Sequence, residues 1–125
     1  MLDDRTPIFT QIAERLADEI ADGALVEGER VPSSNELAAY YRINPATAAK
    51  GLNVLTDQGL LEKRRGIGMF VADGARQRLL AERRRRFAER YVDRLVAEAS
   101  RVGIGPDELL ALIQTSIHAH GGIRS

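Results

Sequence analysis

Cysteine is absent from the sequence of 125 residues, and long apolar runs are absent as well. A chain without thiols forms no disulfides and offers neither a thiolate nucleophile nor cysteine ligands to a metal. No uncharged apolar stretch approaches the ~20 residues of a membrane-spanning helix, so we expect no membrane partner. Residues 1–5 include two aspartates and lack the apolar core of a signal peptide, which predicts a cytoplasmic location.

Patterns of catalytic and metal-binding residues are scarce too. His118 and His120 are too few for a closed metal site, and we interpret them as polar surface. Gly66 and Gly68 precede a predicted strand and not a helix, unlike the glycines of a nucleotide-binding fingerprint. The sequence contains no nucleophile–base pair, carboxylate pair or cofactor motif. We therefore expect a protein that is not an enzyme and that uses no cofactor or metal.

The sequence does contain enough apolar residues for a core and a segregated charge. Hydrophobic residues make up 44% of the chain, and 18 basic side chains balance 18 acidic ones. Residues 1–36 hold three basic and nine acidic side chains, whereas residues 42–65 hold five basic and two acidic ones. Because local charge decides what a surface attracts, the neutral total does not exclude binding of nucleic acid.

Local signals predict three helices followed by a hairpin. Thr6 and Pro7 indicate the N-cap and first residue of one helix. Ser33 has a glutamate three residues later, the spacing of a capping box, at the start of a short second helix. Asn44 and Pro45 predict the start of a third helix, to about residue 58, after a connection of helix-turn-helix length. Residues 60–64 and 69–72 have the pattern of two strands joined by a glycine-rich tip.

The third helix has one stripe suited to contacting bases. Its predicted buried face consists of Ala48, Leu52 and Leu55. The opposite stripe consists of Ala46, Lys50, Asn53 and Asp57, with Thr47 and Ala49 on its flanks. Lys50 can donate to guanine and Asn53 can pair with adenine, while a methyl of Ala46 or Thr47 can contact thymine. The alternative interpretation is a solvated face without a partner.

The hairpin tip concentrates positive charge on Lys63, Arg64 and Arg65 beside Gly66. A glycine permits close approach to a phosphate backbone, so the tip is a candidate for DNA contact. The alternative is a polar hairpin whose charges protect an edge strand.

Residues 75–125 are predicted to form one long helix, to about residue 102, and a second helix that opens at Asp107. Two helices do not bury such wide apolar faces, which predicts a homodimer. Binding of a small ligand at the dimer interface is an alternative use of these apolar faces. Phe87 and Tyr91 have the spacing to line such a pocket, and core packing is the more frequent explanation of such a pair. The candidate interface or ligand residues are Phe87, Tyr91, Leu95, Leu109, Leu112 and Ile113.

In this order and spacing the motifs resemble the GntR family of bacterial transcription regulators. The segments that carry the resemblance are Pro7-Ile8, Val31-Pro32-Ser33-Ser34-Asn35-Glu36-Leu37-Ala38, Asn44-Pro45-Ala46-Thr47, Gly59-Leu60-Leu61 and Arg64-Arg65-Gly66-Ile67-Gly68-Met69-Phe70-Val71. The Asn-Pro pair and the short C-terminal part are most similar to the YtrA subfamily. The resemblance implies a mainly α fold, with a winged helix-turn-helix (three helices plus a β-hairpin wing) over residues 1–74 and a two-helix dimerisation domain over residues 75–125.

The resemblance also implies a function, that of a homodimeric repressor bound to an inverted-repeat DNA operator. Subfamily members commonly repress transporter operons, and release by a small effector is an open alternative. In the family the wing enters the minor groove, a role that falls on Arg65 and Gly66. The expected DNA-binding residues are Ser33, Asn35, Arg42, Asn44, Ala46, Thr47, Lys50, Asn53, Arg64, Arg65 and Gly66. The rival interpretation is a winged-helix protein–protein interaction module that does not bind DNA.

Four positions depart from the family pattern. Many members carry arginine at the positions matching Asn35, Pro45 and Ala49, and glycine at the position matching Arg42. Asn35 keeps a hydrogen-bond donor but brings no charge for counterion release. Arg42 is strained if the bend requires a positive φ.

Overall fold

The computed structural model describes residues 2, 3 and 5–121, which fall into two compact units divided between Arg83 and Arg84. The elements of the N-terminal unit are, in chain order, α1 (Ile8–Asp22), α2 (Ser34–Tyr41), α3 (Pro45–Asp57), β1 (Leu61–Arg64), β2 (Gly68–Val71) and the first part of α4 (Ala75–Phe87). The mainly helical fold with a small antiparallel hairpin agrees with the predicted winged helix-turn-helix. Within the described residues, none of the helices is both long and apolar enough to span a bilayer.

Side-chain caps set the starts of α2 and α3 as predicted. The Ser33 hydroxyl accepts from the Glu36 N–H at 3.1 Å, and a Glu36 carboxylate oxygen accepts from the Ser33 N–H at 3.0 Å. Asn44 Oδ1 accepts from the Ala46 N–H at 2.7 Å. The predicted cap of α1 at Thr6 is wrong by one residue. Pro7 has an extended ψ of 140° and is itself the cap residue, without a side-chain bond.

The core of the N-terminal unit lies between α1, α2, α3 and the hairpin. Its largest fully buried side chains are Ile12, Ile20, Val31, Leu55 and Val71. The predicted buried face of α3 is confirmed. Gly51 is also buried on this face, and a Cβ added there would lie 3.0 Å from the carbonyl oxygen of Phe9. This glycine therefore permits the close approach of α3 to α1.

The hairpin pairs Leu61 with Val71 and Arg64 with Gly68 in antiparallel register. Both strands begin within one residue of the predicted positions. The segment before α2 also pairs with the hairpin, because Arg30 forms an isolated antiparallel bridge with Phe70. β2 thus has backbone partners on both sides.

The first turns of α4 belong to the packing of the N-terminal unit. Ala75 and Leu79 are buried in its core, and the Arg78 guanidinium donates to the carbonyl oxygens of Gly59 and Asp73. Arg83 forms a 2.6 Å ion pair with Asp18. The division into domains 1–74 and 75–125 stays a prediction, while by packing the compact unit continues to Arg83.

The C-terminal unit contains the end of α4, a π-helical segment (Ala88–Val92), α5 (Asp93–Arg101) and α6 (Pro106–Ala119). The predicted long helix over residues 75–102 is confirmed and ends at Arg101, but it contains the π-helical segment, which the apolar pattern does not indicate. There the Asp93 N–H bonds to the carbonyl of Ala88, five residues earlier, so the turn holds one extra residue. Among the described residues of this unit only Ala99 is buried. Most of its large apolar side chains are exposed.

Candidate nucleic-acid interface

The bend between α2 and α3 is tight and left-handed. Arg42 has φ 56° and ψ 53°, and the Ile43 N–H bonds back to the carbonyl of Ala38 at 3.0 Å. A left-handed conformation is unfavourable for a residue with a Cβ, which explains why glycine is usual at this position. The expected strain is therefore present, and the Arg42 side chain is exposed beside the start of α3.

The exposed face of α3 is the predicted stripe. Ala46, Lys50, Asn53 and Asp57 are all exposed, opposite the buried face that packs on α1 and α2. Thr47, on the flank of the stripe, is half-buried. The stripe begins next to the capped N-terminus of the helix, and only its last member is acidic.

Lys50 has a partner that the sequence did not reveal. Its Nζ lies 4.1 Å from the ring centroid of Phe9 in α1, a cation–π contact. At an exposed position such a contact is worth about 0.5–1 kcal/mol. The lysine ammonium is therefore held against α1 in the absence of DNA.

The wing presents two adjacent arginines in different ways. The Arg64 guanidinium carbon lies 4.2 Å from the ring centroid of Phe70, and its Nε lies 3.7 Å from Glu62 Oε1. Arg65 lies in the turn, which the Ile67 N–H closes on the Arg64 carbonyl at 2.9 Å. Gly66 follows with φ 76°, a conformation that favours glycine. The tip thus exposes Arg65, whereas Arg64 lies along the face of the hairpin.

Some polar side chains at the start of α2 cap the helix, and others are exposed to solvent. Ser33 and Glu36 are engaged in the capping box described above. Hydrogen bonding from the backbone and then the side chain of Ser33 holds the pKa of Glu36 below its ordinary range, and the charge of Arg30 lowers it further. Asn35 is exposed in the first turn. Of the predicted set, Ser33 and Asn44 thus use their side-chain oxygens to cap helices.

Arg30 also belongs to this region, although no sequence pattern indicates it. One of its terminal nitrogens lies 3.3 Å from Glu36 Oε1, and its Nε lies close to Gly68 in β2. Because Arg30 and Gly68 are far apart in sequence, no periodic pattern signals their contact. Only the bridge between residues 30 and 70 brings them together.

The six candidate residues of the C-terminal unit fall into two groups. Leu95, Leu109, Leu112 and Ile113 line an apolar groove of about 600 Å³ within this unit. Phe87 and Tyr91 do not line this groove. Their rings contact each other instead, with centroids 5.4 Å apart.

Comparison with known sequences identifies relatives of the whole chain and of its N-terminal part. Residues 9–71 match the family model described as "Bacterial regulatory proteins, gntR family". The HTH-type transcriptional repressor YtrA of Bacillus subtilis (strain 168) is 28% identical over 83% of this chain and 79% of its own length. The uncharacterized HTH-type transcriptional regulator YhcF of the same organism is 28% identical over 87% of this chain and 88% of its own.

Solved structures share the fold. A GntR-family transcriptional regulator from Bacteroides thetaiotaomicron superposes with a TM-score of 0.73 at 30% identity, over 90% of this chain and 98% of that one. The DNA-binding domain of AraR in complex with operator ORX1 superposes with a TM-score of 0.54 at 27% identity. That match covers 58% of this chain and 93% of the AraR chain.

Proposed function

The chain belongs to the gntR family of bacterial regulatory proteins, which makes it a DNA-binding transcription regulator and not an enzyme, and we propose that it acts as a homodimeric, cytoplasmic repressor. Each subunit places α3 in a major groove and the wing in the neighbouring minor groove. Two-fold symmetry then requires an operator with inverted half-sites. The observation that carries the proposal is the exposed stripe of α3, which lies opposite a fully packed face.

In this proposal the base contacts are made by side chains of the exposed stripe of α3 and its flank. Lys50 leaves the Phe9 ring to donate to guanine, and Asn53 pairs with adenine. A good base contact discriminates by about 1–3 kcal/mol, more than the exposed cation–π contact that is lost. The methyls of Ala46 and Thr47 are placed to meet thymine.

In this proposal the contacts to the DNA backbone are made by the bend between α2 and α3, the start of α2 and the wing. Arg65 and Gly66 approach the phosphates that border the minor groove, and Arg42 and Asn35 approach those beside the major groove. Arg64 plays a secondary part, because the Phe70 ring and Glu62 already hold its guanidinium. Ser33 and Asn44 act through the helix N-termini that they cap, where backbone N–H groups favour phosphate.

The C-terminal unit supplies the dimer contact. Monomeric proteins rarely expose contiguous apolar patches as large as a whole helix pair. Here the apolar groove and the exposed side chains around it lie on helices that bury little against each other. A second copy is the occupant that explains this composition, and a small effector is the alternative occupant of the groove.

The experiment that tests DNA recognition is selection of bound duplexes from a random library, followed by mobility-shift titration. We expect enrichment of an inverted repeat. Lys50→Ala should lose discrimination between the selected and a scrambled duplex. Arg65→Ala should weaken binding to both duplexes. It should also reduce the slope of log affinity against log salt concentration by about one, the value for one lost phosphate contact. Arg5→Ala removes the same charge next to Asp3, outside the helix-turn-helix, and serves as the matched control.

Two results would contradict the proposal. A library that shows no enriched sequence would favour the protein–protein interaction module. An unchanged affinity in both Lys50→Ala and Arg65→Ala would show that α3 and the wing do not face DNA.

A further inference from the structure

Arg30 lies where the wing meets the segment that leads into α2. Its backbone forms an antiparallel bridge with Phe70 in β2. On either side, the Val31 N–H bonds to the carbonyl of Met69 and the Val71 N–H bonds to the carbonyl of Glu29, both at 2.9 Å. The backbone at residue 30 is therefore fixed to the wing.

The side chain of Arg30 reaches two elements at once. Its terminal nitrogen lies 3.3 Å from Glu36 Oε1 in the first turn of α2. Its Nε would lie 3.1 Å from a Cβ added to Gly68, the first residue after the wing tip. Gly68 also has φ 142°, so both its backbone and its lack of a side chain suit glycine. The guanidinium thus lies between Gly68, where β2 leaves the wing tip, and the first turn of α2.

The acceptor of this contact is already held in place. Glu36 Oε1 also accepts from the Ser33 N–H at 3.0 Å, so little freedom is lost when Arg30 pairs with it. An exposed pair of this kind adds little to the stability of a protein. The pair with Glu36 nevertheless sets the direction of the planar guanidinium, whose Nε lies alongside Gly68 in the space that a side chain there would occupy. The contact is thus better suited to orienting the wing than to stabilising the fold.

We propose that Arg30 is a positioning residue that fixes the wing tip relative to the start of α2. A further part of this inference rests on the proposed function: by fixing the tip, Arg30 sets where Arg65 meets the DNA backbone.

The first test needs no DNA. Backbone amide order parameters of Gly66 and Ile67 should fall in Arg30→Ala toward the ~0.6 that marks flexible backbone. Those of Leu52 in the core should not change. Arg30→Lys keeps the charge without the planar fork and should give an intermediate loss of order. Unchanged order at the tip of Arg30→Ala would overturn the positioning role.

The second test is a double-mutant cycle of Arg30→Ala and Arg65→Ala, measured as affinity for a selected duplex. Positioning predicts that Arg65→Ala weakens binding about tenfold in the parent and less than about threefold in the Arg30→Ala background. Additive effects would overturn the link from Arg30 through Arg65 to DNA. If Arg65→Ala has no effect even in the parent, the DNA role proposed for the wing fails, and the order parameters still decide the role of Arg30.

Discussion

In the N-terminal unit, large apolar side chains such as Ile12 and Val71 are no more than 2% exposed, whereas in the C-terminal unit Val102 and Leu110 are 72% and 59% exposed. Both units are helical and both carry regular apolar patterns. The difference shows that an apolar pattern indicates burial without indicating which chain provides the cover. The N-terminal unit covers its own core, and the C-terminal unit requires a partner surface under the proposed function.

The largest effect should come from the core of the N-terminal unit. Leu55→Ala removes a side chain that is 1% exposed and should lower the free energy of unfolding by about 2–5 kcal/mol. Leu110→Ala, in the exposed set of the other unit, should change it by less than about 0.5 kcal/mol at protein concentrations low enough to keep the chain monomeric. Urea titrations followed by circular dichroism measure both. An equal loss of unfolding free energy in the two variants would show that the two units do not differ in how they bury their apolar side chains.

The next effect concerns the partner surface. Leu112→Glu places a charge in the apolar groove and should weaken the dimer by about 2 kcal/mol or more, roughly 30-fold in the dissociation constant. Gln114→Glu adds the same charge on α6 outside this groove and should leave the dimer intact. Sedimentation equilibrium over a range of concentrations checks this. A monomer in the unaltered protein at all concentrations would contradict the dimer.

A smaller effect separates stability from binding within the N-terminal unit. Arg42→Gly relieves the left-handed strain and should raise the free energy of unfolding by up to about 1 kcal/mol, while it weakens DNA binding. Arg42→Ala removes the same charge but keeps the strain, so it should weaken DNA binding without the gain in stability. Thermal unfolding and mobility shifts measure the two quantities. Unchanged DNA affinity in both variants would remove Arg42 from the interface.

The smallest effect is the pH dependence of the capping box. Because the pKa of Glu36 is lowered in the folded protein, its charge contributes stability above the ordinary value of 4.5, which is lost as the pH falls through the lowered pKa. Glu36→Gln keeps a capping group without the charge. Compared with the unaltered protein, this variant should melt at a lower temperature at neutral pH and at the same temperature in acid. A deficit that is constant with pH would show that the charge has no part in the cap.

The features that the sequence predicted well are those with local causes. The caps at Ser33 and Asn44 close within a few residues, and the buried face of α3 follows from a 3.6-residue period. Both are therefore visible in a short window of sequence. The strain at Arg42 has a different source, because only the resemblance to the family implied a glycine at this bend, and the positive φ of Arg42 agrees with it.

The features that the sequence did not predict depend on residues far apart in the chain. The contacts of Arg30 with Gly68 and of Lys50 with Phe9 form only once the hairpin and α1 are in place. Sequence patterns thus identified the candidate surface, but not the contacts that orient its cations.

The π-helical segment, Ala88–Val92, has a consequence for how this chain can vary. Such a turn accommodates one residue more than an α-helical turn while the helix on either side keeps its direction. Deleting one residue there should leave a continuous α-helix whose downstream side chains face the same way. Loss of a single residue during evolution is therefore better tolerated at this point than elsewhere along the helix. Relatives that differ by one residue in length here can keep the apolar face of α5 and α6 that the proposed dimer uses.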